Sequence, residues 1–595
     1  MTDDGAEPVS RRPLIAQLWH RHSPRWTLPL VIIVIIAAVA VIDHVDSRRI
    51  SQVDQQSTSA LVAATGGATT VELDQPWSGF NPNTPAGAAS STPTLLSNVL
   101  PSAYLVNSKL LPQVNSDLLL SVEVTSTSPL TIQYVINPKA VWSDGVPVSA
   151  EDFIYAWQSQ DGSGVDVDGQ PDQVASTIGY RDIEKVVPSD SGRTVTVTFA
   201  TPYTDWRDLF DNLLPAHIAA MVGWNHGFDT FNPAIDLSAG PFILHSVTAG
   251  QAVLIRNPKW WGTPAVLDRV TVNTTSQPSQ WTSALAAGNT VVAQPSSFDL
   301  AALDATTSLP NTQSVVKPSL SFLQLEFDTT APVTLHPANR QAIAHAIDRT
   351  ALFNQTFGGI DPDLAAADDH LATSAQSEYS QSSASGEYTD PNLLATDRLL
   401  KSTGYQKYSL GQYVDAQGKP LTLRLAVELG DPWILTVANA LSAQLVAAGF
   451  AVVITPVAGT QGLVAAAAAN SYDMALVTRV ASPYLTATEA WYSDVGGPAG
   501  SGGTQDWSKF DDPQVDELFT QAAQDLNPVD GDAIYGQIDD QLWDQMVALP
   551  LFEEPGLLAN GVQIAGADYN PSEDGVLWNI PLWNTLEPDP AKLKS

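Results

Sequence analysis

Residue types that could carry chemistry are present in this 595-residue chain, but their spacing anchors almost none of it. Nine histidines (His20, His22, His44, His217, His226, His245, His336, His345 and His370) form no H-E-x-x-H helix and no other close ligand spacing, which leaves a zinc hydrolase without a basis. His345 lies within an apolar-periodic stretch and reads as a structural contact. The absence of cysteine excludes disulfides, iron–sulfur clusters, thiolate zinc sites, cysteine nucleophiles and a lipid-modified cysteine. No G-x-S-x-G elbow is present to raise a serine nucleophile. GGPAGSGG, from Gly496 to Gly503, lacks the lysine of a phosphate cradle and reads as a loop. DGSGVDVDG, from Asp161 to Gly169, misses the ligand positions and closing Glu of an EF-hand, and reads as an acidic surface loop. The pairs Asp511–Asp512 and Glu553–Glu554 would make a glycosidase dyad only if two acids faced one cleft. An enzyme is therefore the weaker class, and no catalytic residue, no metal and no cofactor is expected.

The elements that would position a binding site are clearer. Aspartate and glutamate total 63 against 27 lysines and arginines, a formal net charge of -36, so phosphate-backbone binding has no cationic surface to use and no nucleic acid is expected. With 44% apolar residues the chain can bury large cores. Strands are predicted at Thr69–Leu73, Thr131–Ile136 and, alternating at period two, Thr194–Phe199. Ser149 and Asp152 resemble a capping box that opens a helix through Trp157, and Phe242 to Ile255 reads as a hairpin about Ala249–Gly250. Leu421 to Val457 is the most informative stretch. It reads as strand, loop, helix (Ile434 to Ala448, with apolar Leu435, Ala438, Leu441 and Leu445) and strand, a βαβ unit that requires parallel strands. Tyr472 to Val477 adds a third strand. Ligands of open α/β sheets bind beyond the strands' carboxyl ends, which nominates two loops, Glu428 to Trp433 and Thr478 to Tyr484. Pro337 to Leu352 is predicted as one amphipathic helix with Ile343, Ala346, Ile347 and Ala351 on a face, and residues 365–390 as a surface excursion.

Leu28 to Ile42 is fifteen residues without a charge, extended to seventeen by Trp26 and Thr27, the lower edge of a bilayer span at about 1.5 Å per residue. Arg11, Arg12, Arg21 and Arg25 precede it and Asp43 and Asp46 follow, so the positive-inside rule puts the N-terminus in the cytoplasm and the body outside. A cleavable signal peptide is the rival, but its small-x-small spacing, Ala38-Val39-Ala40, falls inside the apolar run. We favour an uncleaved single-pass anchor in the cell membrane. Residues 51–68 are small and polar and suit a tether.

Several stretches, in order, resemble one family. VWSDGVPVSAEDFIYAW (Val141 to Trp157) is similar to the W-S-D-G-x-P-[VL]-[ST]-A-x-D signature of the peptide/nickel-type, family 5 extracytoplasmic solute-binding proteins of ABC importers. SGFNPNT, AGPFILHSVTAGQAVLIRNPKWWG, ANRQAIAHAIDRTALF, YDMALV and LPLFEEP resemble that family's later motifs. The resemblance implies an α/β, two-lobed periplasmic-binding-protein-like fold of the cluster C type, with an extra subdomain in lobe I. The expected organisation is a cytoplasmic N-terminus (1–27), anchor (28–42), tether (43–68), lobe I (69–315), lobe II (316–554) and a return to lobe I (555–595). Trp142, Asp144, Gly145, Ser149 and Asp152 read as scaffold. Ligand contacts in such proteins come from loops facing the cleft, which nominates Trp77, Phe80 and Asn81, then Asp431 and Trp433, then Arg479, Ser482 and Tyr484.

Two departures matter. Family members that hold a free peptide carry an aspartate shortly after the YDM-type strand to pair with the peptide ammonium. Here the stretch reads TRVASPYLTATEAW, with Arg479 and no acid until Glu489, which turns the expectation toward an anionic ligand. The lipidated cysteine of many relatives is also missing, and the apolar helix would replace it. The expected function is a membrane-tethered, monomeric binding protein that closes on a small, peptide-like or anionic ligand for an ABC permease. The alternative is an envelope-biogenesis or regulatory role, as in a mycobacterial branch linked to lipoglycan (phosphatidylinositol mannoside) assembly.

Overall fold

The computed structural model describes residues 61–588 apart from 64–65, 276, 289–290, 361–366, 381–383, 409–410, 432 and 494–504. The Leu28–Ile42 run and the GGPAGSGG loop lie outside the described residues. Among the described residues no helix is long and apolar enough to cross a membrane. Contacts divide the chain into two units, one of residues 1–62 and 588–595 and one of residues 63–587, and the second carries both large sheets.

The first strand of that unit, β1 (Ala68–Leu73), alternates into a buried Val71 and pairs in parallel with two later strands. The chain then builds a separate antiparallel sheet from β2 (Leu119–Thr127), β3 (Leu130–Ile136), β4 (Ile183–Ser189) and β5 (Thr194–Phe199), in the order β2-β3-β5-β4. Helix α1 (Ala150–Gln160) packs on it and starts with a true capping box, Asp152 Oδ2 accepting from the Ser149 N–H at 2.8 Å. The other Asp152 oxygen accepts from the Ala216 N–H at 2.9 Å, and Trp142 reaches the same carboxylate, so the signature motif is scaffold. Burial pushes this carboxyl up to about 6 against those hydrogen bonds.

A hairpin, β6 (Phe242–Thr248) and β7 (Gln251–Arg256), leads to β8 (Arg269–Thr274) and β9 (Val291–Ala293). Strand β10 (Thr312–Phe327) comes next, and α2 (Pro337–Ala344) and α3 (Arg349–Phe357) stand where one helix is expected. The break has a local cause. Asp348 leaves helical geometry and caps α3, its Oδ1 accepting from the Ala351 N–H at 2.7 Å, which turns Ala351 out to solvent. Over residues 365–390, Ser374, Ser377, Ser380, Gly386, Glu387 and Asp390 are exposed, but the predicted surface excursion is corrected in its first part, since Ala367 to Thr373 is buried throughout. Its polar groups are all engaged. The fully buried Arg349 donates to the Ala367 carbonyl at 2.6 Å and to Asp368 at 3.1 Å, and His370 meets Asp539 at 2.7 Å. Saturated hydrogen bonding is what allows so polar a segment inside.

The βαβ unit is present as expected: β11 (Thr422–Leu429), α4 (Ile434–Ala448) and β12 (Ala451–Ala458), in parallel register from Thr422↔Ala451. Gly449, at φ 117°, ends α4 in a conformation that a side chain would resist. Leu435 differs from expectation and is 39% exposed, the buried stripe running instead through Ile434, Val437, Ala438, Leu441 and Leu445. Helix α5 (Gly459–Ala468) returns the chain to β13 (Met474–Val480), parallel to β11. Helices α6 (Pro513–Gln524) and α7 (Pro528–Gln545) precede the last long strand, β14 (Ala548–Gly561).

Ten of these strands form one sheet, ordered β12-β11-β13-β10-β14-β9-β1-β8-β7-β6. A first core gathers residues between Val71 and Val292 and takes back Leu558 to Trp583; a second gathers residues between Trp281 and Ala559; a third lies about α6 and α7 with Leu320, Ala481 and Leu485. The antiparallel pair β10–β14 runs between them, and its register slips between Pro318↔Pro555 and Phe322↔Glu553. Two facing prolines have no N–H to donate, so the ladder is weakest at this point.

Candidate functional site

Between the first and third cores lies a cavity of about 380 Å³, in the size range of small-molecule sites. Its walls come from five separate parts of the chain: Tyr104 and Val106, the Arg207–Asp211 loop, Leu320, residues 480–484, and the Pro571–Asp574 tail. The loop that carries Asp208 and Asp211 folds back through two left-handed non-glycine residues, Phe210 (φ 62°) and Asn212 (φ 48°). The Phe210 amide donates to the Tyr180 hydroxyl at 2.7 Å, which fixes that unusual turn. Across the cavity the chain leaves β13, the Ala481 amide donates to the Leu320 carbonyl at 2.7 Å, and the Ser482 hydroxyl accepts from the Tyr484 N–H at 3.1 Å.

Four carboxylates line the cavity, Asp208, Asp211, Glu573 and Asp574. Asp208 and Glu573 keep more than a third of their surface accessible, and because protein surrounds both, that surface opens on the cavity. Burial, then the charges of Asp205 and Asp211, pushes Asp208 up to about 8. Burial and Asp211 raise Glu573 well above the ordinary carboxylate range, Glu573 and Asp211 sharing a hydrogen bond, and burial with Asp211 raises Asp574. The basic residue in the lining, Arg207, lies over the Trp206 ring at 4.2 Å. Among the described residues no ion pair reaches any of the four acids, and no group of three His, Asp or Glu side chains is placed to hold a metal ion.

Direct hydrogen bonds join the two walls beside the cavity. Asp205 Oδ2 accepts from both the Thr486 N–H (3.1 Å) and the Thr486 hydroxyl (2.8 Å), and Tyr203 meets the same hydroxyl at 3.0 Å. The Thr204 amide donates to the Ala523 carbonyl at 2.8 Å, and the Tyr484 hydroxyl to the Arg207 carbonyl at 3.3 Å. A second cavity of about 430 Å³ adjoins, sharing Arg207 and Pro483 with the first.

Of the eight nominated residues, Ser482 and Tyr484 line the first cavity. Trp77 is half-buried against the first core, Phe80 is buried there edge-on to Phe231, and the Asn81 amide donates to the Trp224 carbonyl at 3.1 Å. Asp431 accepts from the Thr478 hydroxyl at 2.8 Å, and Trp433 packs edge-on to Phe357, near the slipped register of β14. Arg479 is 3% exposed, pairs with Glu326 at 2.7 Å and donates to the Gln505 carbonyl at 2.7 Å. Its charge is answered inside the protein, so the anion preference read from it does not transfer to the cavity.

Sequence reasoning missed the four carboxylates. DWRDLFDN (Asp205 to Asn212) and SEDG (Ser572 to Gly575) are acid-dense loops, a weak signal in a chain with 63 acids.

Proteins similar to this chain are known. Oligopeptide-binding protein OppA of Mycobacterium tuberculosis is 27% identical over 524 residues, 86% of this chain and 83% of that protein. The probable monoacyl phosphatidylinositol tetramannoside-binding protein LpqW of the same organism is 26% identical over 411 residues, 63% of this chain and 62% of that protein. Among solved structures, the periplasmic EDTA-binding protein EppA superposes with a TM-score of 0.80 at 24% identity, over 88% of this chain and 98% of that one, a likeness of fold. The model of bacterial extracellular solute-binding proteins, family 5 Middle, matches residues 113–501, about two thirds of the sequence, and the chain therefore belongs to that family of solute-binding proteins.

Proposed function

We propose that this protein takes up a small solute in the cavity beside Ser482 and Tyr484 and delivers it to an ABC importer. The supporting observation is the cavity itself, walled from both sides and bridged by a strand pair whose register slips at Pro318 and Pro555. In this reading the slip is a hinge about which lobe I (69–315 with 555–595) and lobe II (316–554) open and close. The Asp205–Thr486 contact is then the closed-state latch. The apolar run Leu28 to Ile42 tethers the body outside the membrane, a role for which the chain has no cysteine to lipidate. No covalent step is required.

A second reading, an envelope role with an inositol-mannoside headgroup as ligand, has the similarity to LpqW in its favour. The acid-lined cavity opposes it, because a phosphate would sit among like charges. Native mass spectrometry of the purified residue 51–595 body, before and after mild denaturation, tests both. A small solute released from the wild type and missing from a Ser482→Trp protein supports uptake. A phosphoinositol glycan supports the envelope role, and no ligand in any state counts against both.

A further inference from the structure

The cavity gathers four carboxyl groups against one arginine, and that surplus names a ligand class. Asp208, Asp211, Glu573 and Asp574 line one cavity, while Arg207 is turned onto Trp206. Asp211 and Glu573 share a hydrogen bond, and a bound cation would favour the ionised form of the acids around it. Four carboxyl groups offer partners for more than one cationic group, so a ligand with two or more ammonium groups uses the lining more fully than a monocation. An independent observation marks the same wall as unfinished. Ser572 lines the cavity, is 7% exposed, and its hydroxyl has no hydrogen-bond partner in the protein, so a buried donor and acceptor awaits a bound molecule. Tyr104 and Tyr484 flank this wall with aromatic surface suited to amine methylenes.

We propose that the cavity binds a small ligand carrying two or more amine positive charges, held by Asp208, Asp211, Glu573 and Asp574 with the Ser572 hydroxyl. This rests on the cavity being the solute site. It relocates amine recognition from the stretch after β13, where no acid stands, to the 207–211 loop and the 571–574 tail.

The test is calorimetric titration of the 51–595 body at 150 mM salt with spermidine, the dipeptide Lys-Ala, butylamine and succinate. Spermidine or Lys-Ala should bind at least tenfold more tightly than butylamine, and succinate should not bind; which of the two is tighter separates a free polyamine from a basic peptide. Asp208→Asn with Glu573→Gln should weaken that binding at least tenfold without lowering the melting temperature, since it removes repelling charges. Asp304→Asn with Asp511→Asn, the same charge change on exposed residues, should leave it unchanged. Equal weakening by the exposed pair, or preference for succinate, overturns the proposal. A natural solute lost on Ser482→Trp but kept on Asp208→Asn with Glu573→Gln overturns it while leaving the uptake reading intact. Should no probe and no natural solute bind, both fall.

Discussion

Arg479 and Glu326 face each other where neither meets water: the guanidinium is 3% exposed and the carboxylate fully buried. Burial pushes Glu326 up to about 7 even with the arginine beside it. Such a pair contributes little net stability while intact, yet loss of one partner strands the other. Arg479→Met should destabilise the protein by about 3–5 kcal/mol in urea denaturation, and adding Glu326→Leu should recover much of that loss. Were Arg479 a ligand contact, solute affinity would fall with stability unchanged. Arg349 illustrates the same logic on a family motif, its guanidinium spread over carbonyls from residues 367, 385, 388 and 550. The arginine stands in a stretch that resembles the family, but only the fold reveals that four carbonyls and the Asp368 carboxylate hold it.

At the scale of elements, strands and helices with strong local patterns can be read in advance. Period-two alternation at Thr194–Phe199 and the strand–helix–strand rhythm of 422–458 are local properties, and both emerge where expected. Expectation fails where a polar side chain overrides the pattern. Asp348 cuts an apolar-periodic helix by capping its second half, and hydrogen bonding draws the polar segment 367–373 inside. The cavity is legible only through Ser482 and Tyr484, because its other walls arrive from residues hundreds of positions apart. Among the contacts between elements, Thr486 bonds Asp205 through both its amide and its hydroxyl and also meets Tyr203. Thr486→Val removes the hydroxyl's two bonds and leaves Asp205 half-satisfied, at a cost of about 1–3 kcal/mol. Small-angle scattering of the ligand-free variant should report a larger radius of gyration than wild type. An unchanged radius would mean that the latch does not hold the halves together.

For the whole molecule, the charge of -36 is dispersed except where the fold concentrates it. Asp205, Asp208, Asp211, Glu573 and Asp574 stand together with Arg207, Tyr104 and Tyr484. Asp205, Asp208, Glu573 and Asp574 all titrate above the ordinary carboxylate value, chiefly through burial. A raised carboxyl makes the folded form bind protons more tightly than the unfolded one. Stability is therefore fully present below about pH 4 with respect to these groups, and is lost as pH rises toward about 8, where Asp208 ionises. The melting temperature of the ligand-free protein should fall between pH 5 and 8.5. Asp208→Asn with Asp574→Asn should flatten that slope; an equal slope in the variant would place the proton uptake elsewhere.

Strand β12 has a further consequence. Among the described residues it is the outermost strand at one end of a ten-stranded sheet, and an edge of that kind recruits strands from other copies of a chain. Val453 is 51% exposed there, which adds adhesiveness. Pro456 sits opposite Val427 in the same strand and has no N–H to offer a newcomer. One imino acid thus blunts the edge against aggregation.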